Sequence, residues 1–72
     1  MSKNESGRLY LYDEMGLYMS IGPADYEDQS RFNPDEALQE LMDNAWLISR
    51  SGSDAEIRDE FDTSLYFIAG RK

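Results

Sequence analysis

The chain has no cysteine and no histidine, two prolines, and lysine only at Lys3 and Lys72. Without cysteine there is neither a disulfide scaffold nor thiolate chemistry, so cohesion has to come from packing, and a reducing cytoplasmic compartment fits. Without histidine or an interior lysine the commonest general bases and nucleophiles are missing, and the residues point away from an enzyme. Long apolar runs are absent too. The densest blocks, 45–48 and 65–70, fall far short of the roughly 20 residues a membrane-spanning helix needs, and residues 1–8 are too polar for a signal-peptide core. Glycines punctuate the chain without forming a GxxxxGK or GxGxxG phosphate cradle.

Carboxylates are abundant. Fifteen acids against seven basic residues leave a formal charge of -8 over 72 residues. Between Leu9 and Ser49 nine of the acids face one cation, Arg31. Such a body repels nucleic-acid phosphates and anionic lipid, which excludes direct nucleic-acid and membrane binding, and it attracts basic protein surfaces. An apolar fraction of 40% and an aromatic fraction of 12% are too high for an acidic disordered tail, so the chain is expected to fold as one small domain.

Residues 1–7 read as a flexible polar leader, 8–70 as a single domain and 71–72 as a basic tail. Alternation in 8–13 puts Leu9 and Leu11 on one face of a strand and Tyr10 and Tyr12 on the other. Residues 17–21 repeat the pattern, with Leu17, Met19 and Ile21 expected toward the core and Tyr18 away from it. Gly16 suits a tight hairpin, and Gly22-Pro23 stops the second strand. Asn33-Pro34-Asp35-Glu36 is a helix start: an amide acceptor, a proline at the first helical position and acids at the positive end of the dipole. Leu38, Leu41, Ala45 and Ile48 then recur at helical spacing, with Met42 and Trp46 widening the apolar side and Gly52 as terminator. Ser53-Asp54-Ala55-Glu56 matches a capping box, so a short second helix is expected, with Ile57 and Phe61 on one face. Residues 65–69 read as a last strand. The expected fold class is α+β: a small three-stranded antiparallel or mixed sheet packed against one main helix, with a short second helix, in the order ββααβ.

Two surfaces are candidates for function. In the first, Asp25, Glu27 and Asp28 surround Tyr26 in a punctuated loop, and Asp35, Glu36, Glu40 and Asp43 line the wet side of the main helix. Carboxylates at that spacing imitate a row of phosphates, and the ring adds a stacking contact for arginine. In the second, Tyr10, Tyr12 and Tyr18, with Tyr66 of the last strand, form a tyrosine-rich sheet face suited to assembly. No cofactor is expected, and neither 25–29 nor 54–62 follows the calcium-loop pattern that would mark a metal site. The charge leans toward a monomer, with a dimer across an exposed sheet edge as the alternative. In size, acidity and lack of catalytic chemistry the chain resembles small inhibitors from viruses and mobile elements. Those proteins occupy basic nucleic-acid channels of restriction, CRISPR or transcription machinery. No motif behind that resemblance covers half the chain, so it transfers no individual residue role. The expected function is an acidic, protein-binding inhibitor or regulator, with a structural or assembly protein as the alternative.

Overall fold

The computed structural model describes residues 7–71, so most of the expected leader and Lys72 of the expected tail lie outside the described residues. Four strands and one long helix follow in the order β1 (Leu9–Asp13), β2 (Gly16–Ile21), α1 (Pro34–Arg50), β3 (Ala55–Arg58) and β4 (Ser64–Ile68). Two 3-10 turns, Pro23–Asp25 and Gln29–Arg31, occupy the connection before α1. The sheet is antiparallel throughout, with strand order β2-β1-β3-β4. The class is α+β, as the alternation and helical spacing imply, but among the described residues the sheet has four strands and there is a single α-helix.

The expected second helix is strand β3. Ala55 and Ile57 point into the core and Glu56 and Arg58 point out, which is a period of two rather than of 3.6. The cap-like acid Asp54 does not serve a helix start either; its Oδ1 accepts the backbone N–H of Gly70, 2.7 Å away. Ile57 is fully buried while Phe61 stands 77% exposed in the β3–β4 turn, so the two share no face. β4 accordingly pairs with β3, and β3 lies between it and β1.

The β1–β2 hairpin turns through Glu14-Met15 to Gly16, whose φ of +119° is a conformation open to glycine. Asp13 Oδ1 supports the turn by accepting the Met15 N–H at 2.8 Å. The register then slips: Leu11 faces Met19 but Tyr12 faces Leu17, which leaves Tyr18 as the extra residue of a bulge. This corrects the expected core. Met19 and Ile21 pack inward, whereas Leu17 is turned out and 58% exposed.

Helix α1 begins as its sequence implies, with Asn33 Oδ1 accepting from the Asp35 N–H at 2.9 Å and the Glu36 N–H at 3.4 Å and Pro34 at the first position. Gly52, at φ +102°, ends it. Ala37, Leu41, Ala45 and Ile48 press against Leu9, Leu11, Ile21, Ala55 and Ile57 on one face of the sheet. Met42 is partly buried against this core, but Trp46, expected there too, is nearly half exposed. The helix covers one face of the sheet, and among the described residues no element lies over the opposite face.

Beyond β4 the chain is fastened to the end of α1. The buried Ser49 donates its hydroxyl to the Ala69 carbonyl at 2.8 Å, and its own carbonyl accepts the Arg71 N–H at 2.8 Å. Gly70 sits so close that a Cβ there would come within 2.5 Å of the Gly52 carbonyl oxygen.

Candidate functional site

The acidic loop and the acidic helix are separate structures with different uses of charge. In the loop, Asp25 is committed to the fold. One carboxylate oxygen accepts Arg8 Nη2 at 3.0 Å and the other accepts the Gly22 N–H at 3.1 Å, while Arg8 Nη1 donates to Ser20 Oγ at 2.7 Å. The Arg8 hydrogen bond, then that of Gly22, holds the Asp25 carboxyl below its ordinary range. Gly22 makes room for this crossing, since a Cβ there would lie 2.9 Å from the Arg8 side chain. Asp28 is also engaged locally: it accepts from the Ser30 hydroxyl at 2.6 Å and the Ser30 N–H at 3.0 Å, and these bonds lower its pKa. Tyr26 lies edge-on to Phe32, ring centres 5.9 Å apart, and Phe32 in turn packs on the core. An open concavity of about 510 Å³ is lined by Asp25, Tyr26, Glu27, Asp28 and Arg31. The loop therefore presents Glu27, part of Tyr26 and a cation, rather than three unoccupied acids around a ring.

The helix acids are placed differently. Asp35, Glu36, Glu40 and Asp43 are all exposed, and among the described residues none of them forms an ion pair. Glu36, Glu40 and Asp43 follow the i, i+4, i+7 spacing of one helical stripe, with Asp35 beside them in the first turn. Asp43 accepts Gln39 Nε2 at 3.1 Å, which leaves its charge uncompensated. The stripe continues into exposed Leu47, with Trp46 alongside, so the wet side of α1 passes from acid to apolar toward its C-terminal end. None of these four acids lines the loop concavity. The eight residues expected to form one contact set are thus divided into a loop group, half of it structural, and an unpaired helix stripe.

The uncovered sheet face gathers the aromatic residues. Tyr10 and Tyr12 lie with ring centres 6.5 Å apart, and the Arg58 guanidinium sits 5.0 Å from the Tyr12 ring centre. Arg58 also reaches Glu56 at 3.0 Å and Asp62 at 2.8 Å, and these two acids raise its pKa. Glu56 is lowered by the Ser64 hydroxyl and then by Arg58. Leu17 joins the face through its pairing with Tyr12, and Tyr18 projects at the bulge. Tyr66 does not join them. It pairs with Ile57, whose side chain is in the core, so it lies on the helix side of the edge strand. Its neighbour Phe67, opposite Glu56 and 62% exposed, takes the place expected for Tyr66. Phe67 was readable only from the β3–β4 register, because in sequence it is one of a run of apolar residues with no polar alternation. Together with Tyr12, Asp13, Glu14, Asp54, Ala55 and Glu56 it lines a depression of about 200 Å³.

Among the described residues no three acids, histidines or cysteines are grouped so as to hold a metal ion, and no helix is long and apolar enough to cross a membrane. Both surfaces offer what recognition uses, carboxylate acceptors and aromatic area. The chain matches no family model, no curated protein and no solved structure.

Proposed function

We propose that the protein is an acidic inhibitor or regulator that occupies a basic surface of a nucleic-acid-processing protein, using the wet side of α1. The observation behind this reading is the stripe of Asp35, Glu36, Glu40 and Asp43, exposed and, among the described residues, free of ion pairs. Carboxylates already paired within a fold have little left to give a partner, whereas unpaired ones speed encounter with a positive surface and disfavour acidic competitors. Leu47 and Trp46 next to the stripe supply apolar area that charge alone lacks. Glu27 and Tyr26 extend the contact from the loop; Asp25 and Asp28 act indirectly, by holding the loop in shape. The cytoplasm is the proposed compartment.

Affinity capture with the wild-type chain, repeated with Asp35→Asn, Glu36→Gln, Glu40→Gln and Asp43→Asn combined, tests this reading. It expects recovery of a nucleic-acid-processing protein that duplex DNA displaces and that the neutralised variant fails to retain. A partner indifferent to both DNA and the four substitutions contradicts it. A second reading, an assembly protein, draws on the uncovered sheet face with Tyr10, Tyr12 and Tyr18. Under that reading Tyr→Ser changes on the face weaken binding more than the four helix changes do.

A further inference from the structure

Apart from its two candidate surfaces, the sheet has two outer edges, β2 and β4, and they differ in a way that bears on self-association. β4 reads Ser-Leu-Tyr-Phe-Ile, with no charge and no proline, and Leu65, Tyr66 and Phe67 are 40%, 46% and 62% exposed. Natural edge strands are normally protected by a charge, a proline or a covering element, because unpaired N–H and C=O groups template another strand. β4 has a bulge at Leu65, near its start, and a regular run from Tyr66 to Ile68.

What lies at the two ends of each edge strand decides which one a second copy fits. Before β4 stand Asp59, Glu60 and Asp62, the last already paired with Arg58; after it stands Arg71, held in place by its N–H bond to the Ser49 carbonyl, with Asp54 turned back onto the neighbouring Gly70 N–H. An antiparallel pair about a two-fold axis brings the start of one strand beside the end of the other, so the acidic approach of one copy meets the basic exit of its twin. β2 has acids at both ends, Asp13 and Glu14 before it and Glu27 and Asp28 after it, beyond the Arg8–Asp25 ion pair, and the same operation there sets acids beside acids. The net charge of -8 opposes association as a whole, but it is screened over about 8 Å at physiological salt, and the strand contact itself is uncharged.

We propose that two copies of the chain pair edge to edge through β4, antiparallel about a two-fold axis at the middle of the strand, forming one continuous eight-stranded sheet. The uncovered faces of both copies then run together, with Phe67 of each near the join. This goes beyond the reading of α1 as a docking surface and leaves that helix free.

Sedimentation velocity over a concentration series, with amide hydrogen exchange at its two ends, tests the pairing. A monomer–dimer equilibrium is expected, with slowed exchange at high concentration in Ser64–Ile68 and not in Gly16–Ile21. Phe67→Lys, opposite Glu56, keeps an exposed position in the monomer and should weaken the dimer by about tenfold or more, a loss of about 1.4 kcal/mol. Leu17→Lys, the same change on the other edge, should leave it unaltered. Arg71→Glu should weaken the dimer and Glu60→Arg in the same chain should restore it, a comparison that does not depend on the fate of the Phe67 variant. A chain that stays monomeric across the series overturns the proposal. So does a dimer in which β4 amides gain no protection, or one that Leu17→Lys disrupts as much as Phe67→Lys.

Discussion

Removing the hydroxyl of Ser49 isolates the link between the end of α1 and the end of β4. Ser49 is 1% exposed, and its hydroxyl is a donor to the Ala69 carbonyl at 2.8 Å. Ser49→Ala deletes that bond and strands a partly buried acceptor, which costs about 1 to 2 kcal/mol once the lost bond and the unmet carbonyl are counted together. For a domain of this size that corresponds to a fall in Tm of about 4 to 16 °C, at roughly 4 to 8 °C per kcal/mol. Ser51→Ala is the matched control: its hydroxyl donates to the Ile48 carbonyl at 2.7 Å, but the residue is exposed, so water replaces the bond and the cost stays within about 0.5 kcal/mol. Thermal and urea unfolding followed by far-ultraviolet circular dichroism give the two values. Hydrogen exchange should show Ser49→Ala loosening Arg71, whose N–H bonds the Ser49 carbonyl, more than β1. Equal stability of the two variants, with exchange at Arg71 unchanged, would refute the idea that this hydroxyl fastens β4.

Gly70→Ala should cost about 1 to 3 kcal/mol in urea unfolding, because the added methyl meets the Gly52 backbone and not a yielding side chain. Leu17→Ser should change stability by less than about 0.5 kcal/mol and Leu11→Ala should cost about 2 to 5 kcal/mol; a reversed order would place the β2 bulge wrongly. Asp25, Asp28 and Glu56 all have lowered pKa values in the folded chain, so each binds its proton more readily when unfolded. Their stabilising contribution is complete above the ordinary carboxylate range and is lost as the pH falls through their lower folded values, starting near about pH 4. Urea midpoints from pH 7 to pH 2 should show this loss, and Arg8→Met should reduce it by freeing Asp25; an unchanged acid slope in that variant would discount the Arg8 contact.

Elements whose own residues specify them were legible. The Asn33-Pro34 start, the spacing from Leu38 to Ile48 and the Gly52 stop describe α1 without reference to anything distant, and the Leu9–Tyr12 alternation describes β1. Residues 53–58 were not, because a four-residue cap signal competed with a four-residue alternation. The alternation prevailed once Ala55 and Ile57 found β1 and α1 to pack on and Gly70 took the Asp54 carboxylate. Leu17 and Tyr66 were misplaced for a related reason. A strand's period gives relative faces only, and a bulge or a neighbour's register decides which face is inside. Among the site residues, the helix acids depended only on helical phase and stand where the spacing puts them. Asp25 depended on Arg8, seventeen positions away, and nothing local reveals that pairing.

The most direct test of the account is the association rate of the folded chain with a basic nucleic-acid-processing target, measured at several salt concentrations. The wild type is compared with the variant carrying Asp35→Asn, Glu36→Gln, Glu40→Gln and Asp43→Asn. Attraction from unpaired carboxylates acts before contact and is screened over about 8 Å at physiological salt, so their loss should slow association and flatten its dependence on salt. Tyr26→Ala, by contrast, should act mainly on dissociation. A folded quadruple variant that associates as fast as the wild type, with the same salt dependence, would contradict the assignment of α1 as the surface that meets a basic partner.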